Sequence, residues 1–258
     1  YHYLKRPYTL IPATAESVPV PRYYDAAGRQ LPATADESLI ASSVYEIRIK
    51  PGIRYQPHPA FALKADGTPV YGDLDPLKLQ DVRRLADFAE TGSRELTADD
   101  YIYQIKRLAH PRLHSPIFGM MAERIEGLAA LGKILQAEAA KAPAGGWLDL
   151  DRYPLAGVEK VDRYTWRVRL KGKYPQFLYW LAMPFFAPVP READRFYSQP
   201  GMAEKNLSLD WYPVGTGPYM LTENNPNSRM VLERNPNFYG ETYPCEGDPG
   251  DRDRKSVV

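Results

Sequence analysis

A mixed α/β fold, an antiparallel sheet with flanking helices, is predicted by three stretches of this 258-residue sequence. Tyr45, Ile47 and Ile49 alternate with Glu46, Arg48 and Lys50, which gives a strand one apolar and one charged face. Val158–Leu170 reads as a hairpin whose second half, Val161 to Leu170, repeats that alternation, as neighbouring strands of one antiparallel sheet would. Between them, Thr97 followed by Asp100 forms a capping-box start, and Tyr101, Ile105 and Leu108 then share one helical face until Pro111 stops it.

The other elements follow in order. Residues 1–41 carry prolines at 7, 12, 19, 21 and 32 with little periodicity, so an extended surface segment is expected, with a turn at Asp25–Arg29. Pro51-Gly52 ends the first strand. A second helix is expected over Phe118–Ala140, with Met121, Ile125, Leu128 and Leu135 on one face, weakened by Gly127 and Gly132; residues 142–146 break it. Pro175 opens a short helix over Gln176–Ala182 whose Phe177, Trp180 and Leu181 face the core. Residues 184–190 form an extended crossing, and Arg191–Tyr197 a further helix. Tyr212 to Leu221 holds two glycines and two prolines in a bend that feeds a strand; a turn-rich gap from Thr222 to Ser228 returns the chain along Val231 to Tyr239.

Bulk properties bound the function. A net charge of +1, from 33 basic and 32 acidic residues, gives no nucleic-acid footprint. The single cysteine, Cys245, allows no intrachain disulfide. The most apolar stretch, Phe177–Val189, is broken by Pro184 and Pro188 and is too short to span a bilayer. Nineteen tyrosines and 25 prolines suggest an aromatic, loop-rich surface suited to holding ligands or partners.

Enzyme signatures were sought and none was assigned. Gly215-Thr216-Gly217 lacks the third glycine, the lysine and the following helix of a nucleotide site. No Gly-x-Ser-x-Gly elbow occurs, and Cys245 has no histidine near it in sequence. His110 and His114 have i, i+4 spacing, but Pro111 lies between them and no acidic third ligand follows, so a turn is expected and no metal site. Asp99 and Asp100 are read as helix-capping carboxylates, and Arg167 with Arg169 as a solvated strand face. No catalytic residue and no cofactor is assigned.

Four stretches in order resemble the family-5 extracellular solute-binding proteins, the oligopeptide- and dipeptide-binding components of ABC importers. They are Ser43 to Tyr55; Leu96-Thr97-Ala98-Asp99-Asp100 to Leu108; His110-Pro111 to Ser115-Pro116; and Pro213-Val214-Gly215-Thr216-Gly217-Pro218-Tyr219 with Glu233-Arg234-Asn235-Pro236-Asn237-Phe238-Tyr239. The resemblance implies a periplasmic-binding-protein-like fold (type II), represented mostly by one lobe. Residues 1–189 would form the smaller subdomain of that lobe, 190–245 part of its core and 246–258 a disordered tail or cloning scar; the second lobe and the signal peptide would be absent. Residues 56–94 depart from the family as an insertion of about forty residues, which would either cover part of the cleft or, as most such insertions do, decorate the surface, the expectation favoured here.

The resemblance also implies capture of a small-molecule or peptide ligand, an oligopeptide above all, by a periplasmic (or extracellular, membrane-associated) monomer that delivers it to an ABC permease in the membrane. Peptide-binding relatives carry an aromatic residue near the ligand just after the Ser-Pro turn. Here that position is Ile117, so the ligand-binding candidates are Ser115, Pro116, Ile117 and Phe118, forming an apolar wall or packing under the next helix. The alternative is a hydrolase or other enzyme domain with an aromatic-rich binding lobe, which two close carboxylates in a pocket would favour. An interaction module built on residues 56–94 would instead show a large exposed apolar patch.

Overall fold

The computed structural model describes residues 9–75, 77, 79–141 and 146–240. Cys245, the 246–258 tail and most of the expected break at 142–146 lie outside them.

The two alternating stretches are the centre of a five-stranded antiparallel sheet. Ser42–Arg48 (β3) pairs with Thr165–Lys171 (β5), setting Tyr45 opposite Val168 and Ile47 opposite Trp166. All four of these side chains are buried, so the apolar faces of both strands point to the same core. Val158–Lys160 (β4) returns along β5 as the expected hairpin. The extended segment expected before residue 41 is more ordered than its prolines suggested. Arg22–Tyr24 (β1) and Gln30–Leu31 (β2) pair around the Asp25 turn, and β1 joins β3, giving the order β2-β1-β3-β5-β4. Asp25 makes that turn by accepting from the amides of Ala27 and Arg29, at 2.9 and 2.8 Å.

Helix α1, Ala98–Arg107, lies against this sheet, with Ile105 and the following Leu108 buried and the Tyr101 ring stacked on Trp166 at 5.6 Å. Its capping box forms as expected: the Thr97 amide donates to the Asp100 carboxylate at 2.9 Å.

The single helix expected over 118–140 is two helices, α2 at Phe118–Arg124 and α3 at Leu128–Lys141. Between them the chain turns to the sheet. Ile125 bridges Leu170, the Glu126 amide donates to the Arg169 carbonyl, and the Gly157 amide donates to the Glu126 carbonyl. Gly127 then sits at φ +80°, left-handed backbone that only glycine adopts readily. The expected apolar face survives the break, since Met121, Ile125, Leu128 and Leu135 are all fully buried.

Helix α4, Phe177–Leu181, buries Phe177, while Trp180 and Leu181 are partly buried against the core. The expected extended crossing contains a 3₁₀ turn at Pro184–Phe186 before helix α5, Arg191–Tyr197. Tyr219–Asn225 (β6) and Arg229–Arg234 (β7) form a separate two-stranded sheet, with a turn tighter than the sequence implied and a register shift between Leu221 and Glu223. Among the described residues no helix is long and apolar enough to cross a membrane.

The stretch at 56–94 is not surface decoration. His58, Phe61, Leu79, Val82 and Phe88 are buried in the same core as Ile105, Phe196 and Leu207. The His58 ring lies among Phe61, Phe196 and Tyr197, with centroids 5.4–6.3 Å away. Its Nδ1 accepts from the Ala60 amide at 3.1 Å, so Nε2 carries the hydrogen and donates to the Tyr197 hydroxyl at 2.8 Å. That hydroxyl in turn donates to the Tyr212 carbonyl at 3.0 Å. Burial pulls the His58 pKa from 6.5 down to about 3, keeping the ring neutral. Aromatic and aliphatic side chains and one histidine carry this docking, and their spacing has no helical or strand period.

A histidine whose folded pKa lies below its unfolded value resists protonation only in the folded state. The unfolded chain therefore binds the extra proton between pH 6.5 and about 3, and stability falls as the pH is lowered through that window. His58→Gln is expected to reduce the acid slope of stability between pH 6 and 4 by up to about 1.4 kcal/mol per pH unit, read by urea denaturation at stepped pH. Equal slopes in the two proteins would refute the buried neutral histidine.

Candidate functional site

The four residues singled out from the sequence form one continuous turn between α1 and α2. The chain leaves α1 through Pro111, reaches left-handed backbone at His114 (φ 47°), and closes when the Phe118 amide donates to the Ser115 carbonyl at 3.2 Å. Pro116 is exposed and Ser115 half-buried. Ile117 is buried in the core and leads into α2, where the Met121 amide donates to its carbonyl at 3.0 Å. The half-buried Phe118 ring lies across Gly132 of α3, where an added Cβ would fall 2.5 Å from the ring. Ile117 and Phe118 thus pack under the next helix, leaving Pro116 as the most accessible member. His110 caps its own turn by accepting from the Arg112 amide at 3.2 Å, and no group of three or more potential metal ligands is found among the described residues.

Beside α1 lies a polar recess of about 320 Å³ lined by Arg94, Asp100, Glu192, Tyr103, Asp151 and Arg163, among others. Five carboxylates line it, and two of them, Asp100 and Glu192, stand close together, the feature that would favour an enzyme. Both, however, are held by one cation. The Arg94 guanidinium donates to Asp100 through Nη1 at 2.9 Å and Nη2 at 2.6 Å, and to Glu192 through Nε at 2.7 Å and Nη2 at 2.6 Å. Nη1 also donates to the Glu95 carbonyl at 3.0 Å. The guanidinium carbon stands 5.3 Å from the Tyr55 ring centroid and 5.5 Å from that of Phe61. Burial pushes the Asp100 carboxyl up from its usual value, against the pull of Arg94, while the two carboxylates hold the guanidinium firmly protonated. With every carboxylate oxygen occupied, the cluster is arranged to fasten Arg94, the start of α1 and the start of α5 together rather than to move a proton. Asp99, its neighbour in sequence, also lines the recess and pairs with Lys160 at 2.6 Å.

The glycine-proline bend is fastened in a similar way. Gln56 and Gly215 exchange two hydrogen bonds: the Gln56 amide donates to the Gly215 carbonyl at 2.9 Å, and the Gly215 amide to Gln56 Oε1 at 3.1 Å. The buried Asn235 closes the hairpin base, its amide donating to the Pro218 carbonyl and its Nδ2 to the Gly217 carbonyl, both at 2.8 Å. Asn237 Nδ2 reaches the Tyr55 carbonyl at 2.8 Å and Ser93 Oγ at 3.1 Å. Sequence reasoning quoted Asn235 and Asn237 within a motif but gave them no task, and it assigned nothing to Gln56 or Arg94. An Asn-Pro-Asn turn signal was present, whereas the partners of Asn237 and Gln56, about 140 to 180 residues distant, were not legible locally.

Removing Arg94 strands the nearly inaccessible Asp100 carboxylate without its counter-charge. Arg94→Gln is expected to destabilise the chain by about 3 kcal/mol in urea denaturation, and Arg94→Lys to recover only part of this because an ammonium cannot bracket two carboxylates. A loss below about 1 kcal/mol, the size typical of a surface pair, would show that the cluster does not hold the elements together.

The family described as bacterial extracellular solute-binding proteins, family 5 (middle) matches residues 90–254. Periplasmic oligopeptide-binding protein OppA of Salmonella typhimurium is 31% identical over 144 residues, 56% of this chain and 23% of that protein. OppA of Escherichia coli K12 is 30% identical over the same length and shares. The match thus spans less than a quarter of each curated relative. Among solved structures, the periplasmic binding protein DppA of Helicobacter pylori in complex with peptide STSA aligns with a TM-score of 0.48 at 18% identity, covering 90% of this chain and 31% of that one. OppA of Burkholderia pseudomallei aligns at 0.43 and 20% identity, covering 84% and 32%. The family match takes in Arg94, Asp100, Glu192, Gly215, Asn235 and Asn237, the residues that fasten the fold, and it covers well over half of the sequence. This chain belongs to the family-5 bacterial extracellular solute-binding proteins.

Proposed function

We propose that the chain is part of the substrate-binding component of an ABC importer, which captures an oligopeptide in the periplasm and delivers it to a membrane permease. The observation that carries this reading is the family match over residues 90–254, supported by two curated relatives that are themselves named periplasmic oligopeptide-binding proteins. The component acts as a monomer and breaks no bond; the two carboxylates that would have argued for hydrolysis are both committed to Arg94. Residues 1–189 serve as the smaller subdomain of one lobe and 190–245 as part of its core. The turn Ser115-Pro116-Ile117-Phe118 supplies an apolar wall to the ligand, with Pro116 the accessible contact and Ile117 its support from beneath. The accessible surface of the wall is the aliphatic ring of Pro116, which favours contact with ligand side chains over recognition of the peptide backbone.

A thermal-shift screen of the intact protein against peptide pools, nickel chelates, haem and oligosaccharides tests the reading. A peptide at a hundred times its dissociation constant is expected to add about 2.7 kcal/mol of stability. Mass spectrometry should find the peptide uncleaved. Pro116→Ala should weaken peptide binding severalfold and leave the unliganded midpoint unchanged. Peptides that shift nothing, or are consumed, would overturn the proposal.

A further inference from the structure

The solvent face of the five-stranded sheet holds a recess of about 200 Å³ lined by Arg22, Tyr24, Val44, Glu159, Arg167 and Arg169, with Ala156 and Gly157 at its side. The strand register explains it. Arg22 on β1 and Arg169 on β5 both stand opposite Val44 of β3, so two long side chains flank a short apolar one. One residue pair along, Arg167 stands opposite Glu46 and Glu159.

Three guanidiniums therefore face one recess against three carboxylates, Glu46, Glu159 and Glu126, none of which makes a bidentate pair. Arg22 and Arg167 share a single oxygen, Glu46 Oε2, at 2.9 and 2.6 Å. Glu159 touches Arg167 only at 3.5 Å from an exposed position. Arg169 lies 3.5 Å from Glu126 and 3.3 Å from the Ser42 hydroxyl, with its guanidinium carbon 5.7 Å from the Tyr24 ring centroid. Each arginine carries five donors in a rigid fork, and among the described residues most of these donors have no protein acceptor. Forked, unspent guanidiniums over a small apolar floor match an oxyanion, which can bridge two of them at once.

We propose that this recess binds the oxyanion group, phosphate or carboxylate, of a small solute, at a site separate from the Ser115–Phe118 turn. Arg22 on β1 brackets the anion from one side and Arg167 and Arg169 on β5 from the other, while Tyr24 keeps the Arg169 plane in place. Glu46 competes with the ligand for the first two arginines.

Isothermal titration of the chain with sodium phosphate, and separately with sodium acetate, at ionic strength held constant with chloride, tests the site. One saturable site is expected. Arg169→Gln should weaken it about tenfold, the loss of one charge-assisted contact, and Glu46→Gln should strengthen it by freeing the other two arginines. Glu204→Gln, which removes an equal charge outside the recess, should leave it unchanged. Arg22→Gln serves as a second weakening variant should Arg169→Gln fail to fold. Binding of phosphate alone assigns a tetrahedral anion, and comparable binding of acetate assigns a carboxylate. Heats no greater than chloride gives, or affinities that do not move in opposite directions in the arginine and glutamate variants, would overturn the proposal.

Discussion

The ion cluster centred on Arg94 is the constraint on which the arrangement of this chain depends. One guanidinium, flanked by Tyr55 and Phe61, joins the stretch before α1, the first turn of α1 and the first turn of α5. Asp100 is simultaneously helix cap and counter-ion, so the position of α1 along the sheet and the position of α5 behind it are set by the same atoms. Its desolvation is costly, and the cluster is therefore a device for fixing geometry more than a source of net stability.

The remaining polar contacts extend that logic to the other end of the chain. Gln56 meets Gly215, and Asn237 meets Tyr55 and Ser93, so the residues flanking the β6–β7 hairpin are tied to both ends of the 56–94 stretch. At the bend, the Gly215 carbonyl and amide meet Gln56 and the Gly217 carbonyl meets Asn235 Nδ2.

Much of this fold was legible because it is periodic. The alternation at Tyr45–Ile49 and Tyr164–Leu170 gave the central strand pair, and Thr97 with Asp100 gave the start of α1, since period and cap are local signals. The break at Ile125–Gly127 was hidden because the apolar spacing continues through it; only the left-handed Gly127 and the pull of the β5 edge distinguish two helices from one. The integration of 56–94 was hidden for another reason. His58, Phe61, Leu79 and Phe88 follow no period, and a buried neutral histidine looks like a surface one in sequence. At the Ser115–Phe118 turn, the sequence left open whether Ile117 would form a wall or pack under the next helix, and its burial in the core follows from tertiary contacts that no local pattern encodes.

The pairing of β3 with β5 carries a consequence for how the chain comes to be folded. Residues 49–164 lie between the two strands, yet each is the other's long partner at the middle of the sheet. Closing so long an excursion adds little to the equilibrium cost, because loop entropy grows only with the logarithm of length. It weighs on the rate instead, since non-local pairs must find each other before either is stabilised. A polypeptide emerging from its N-terminus therefore exposes the apolar edge of β3 until residue 171 has appeared, and throughout that interval it remains a substrate for whatever handles unfolded chains.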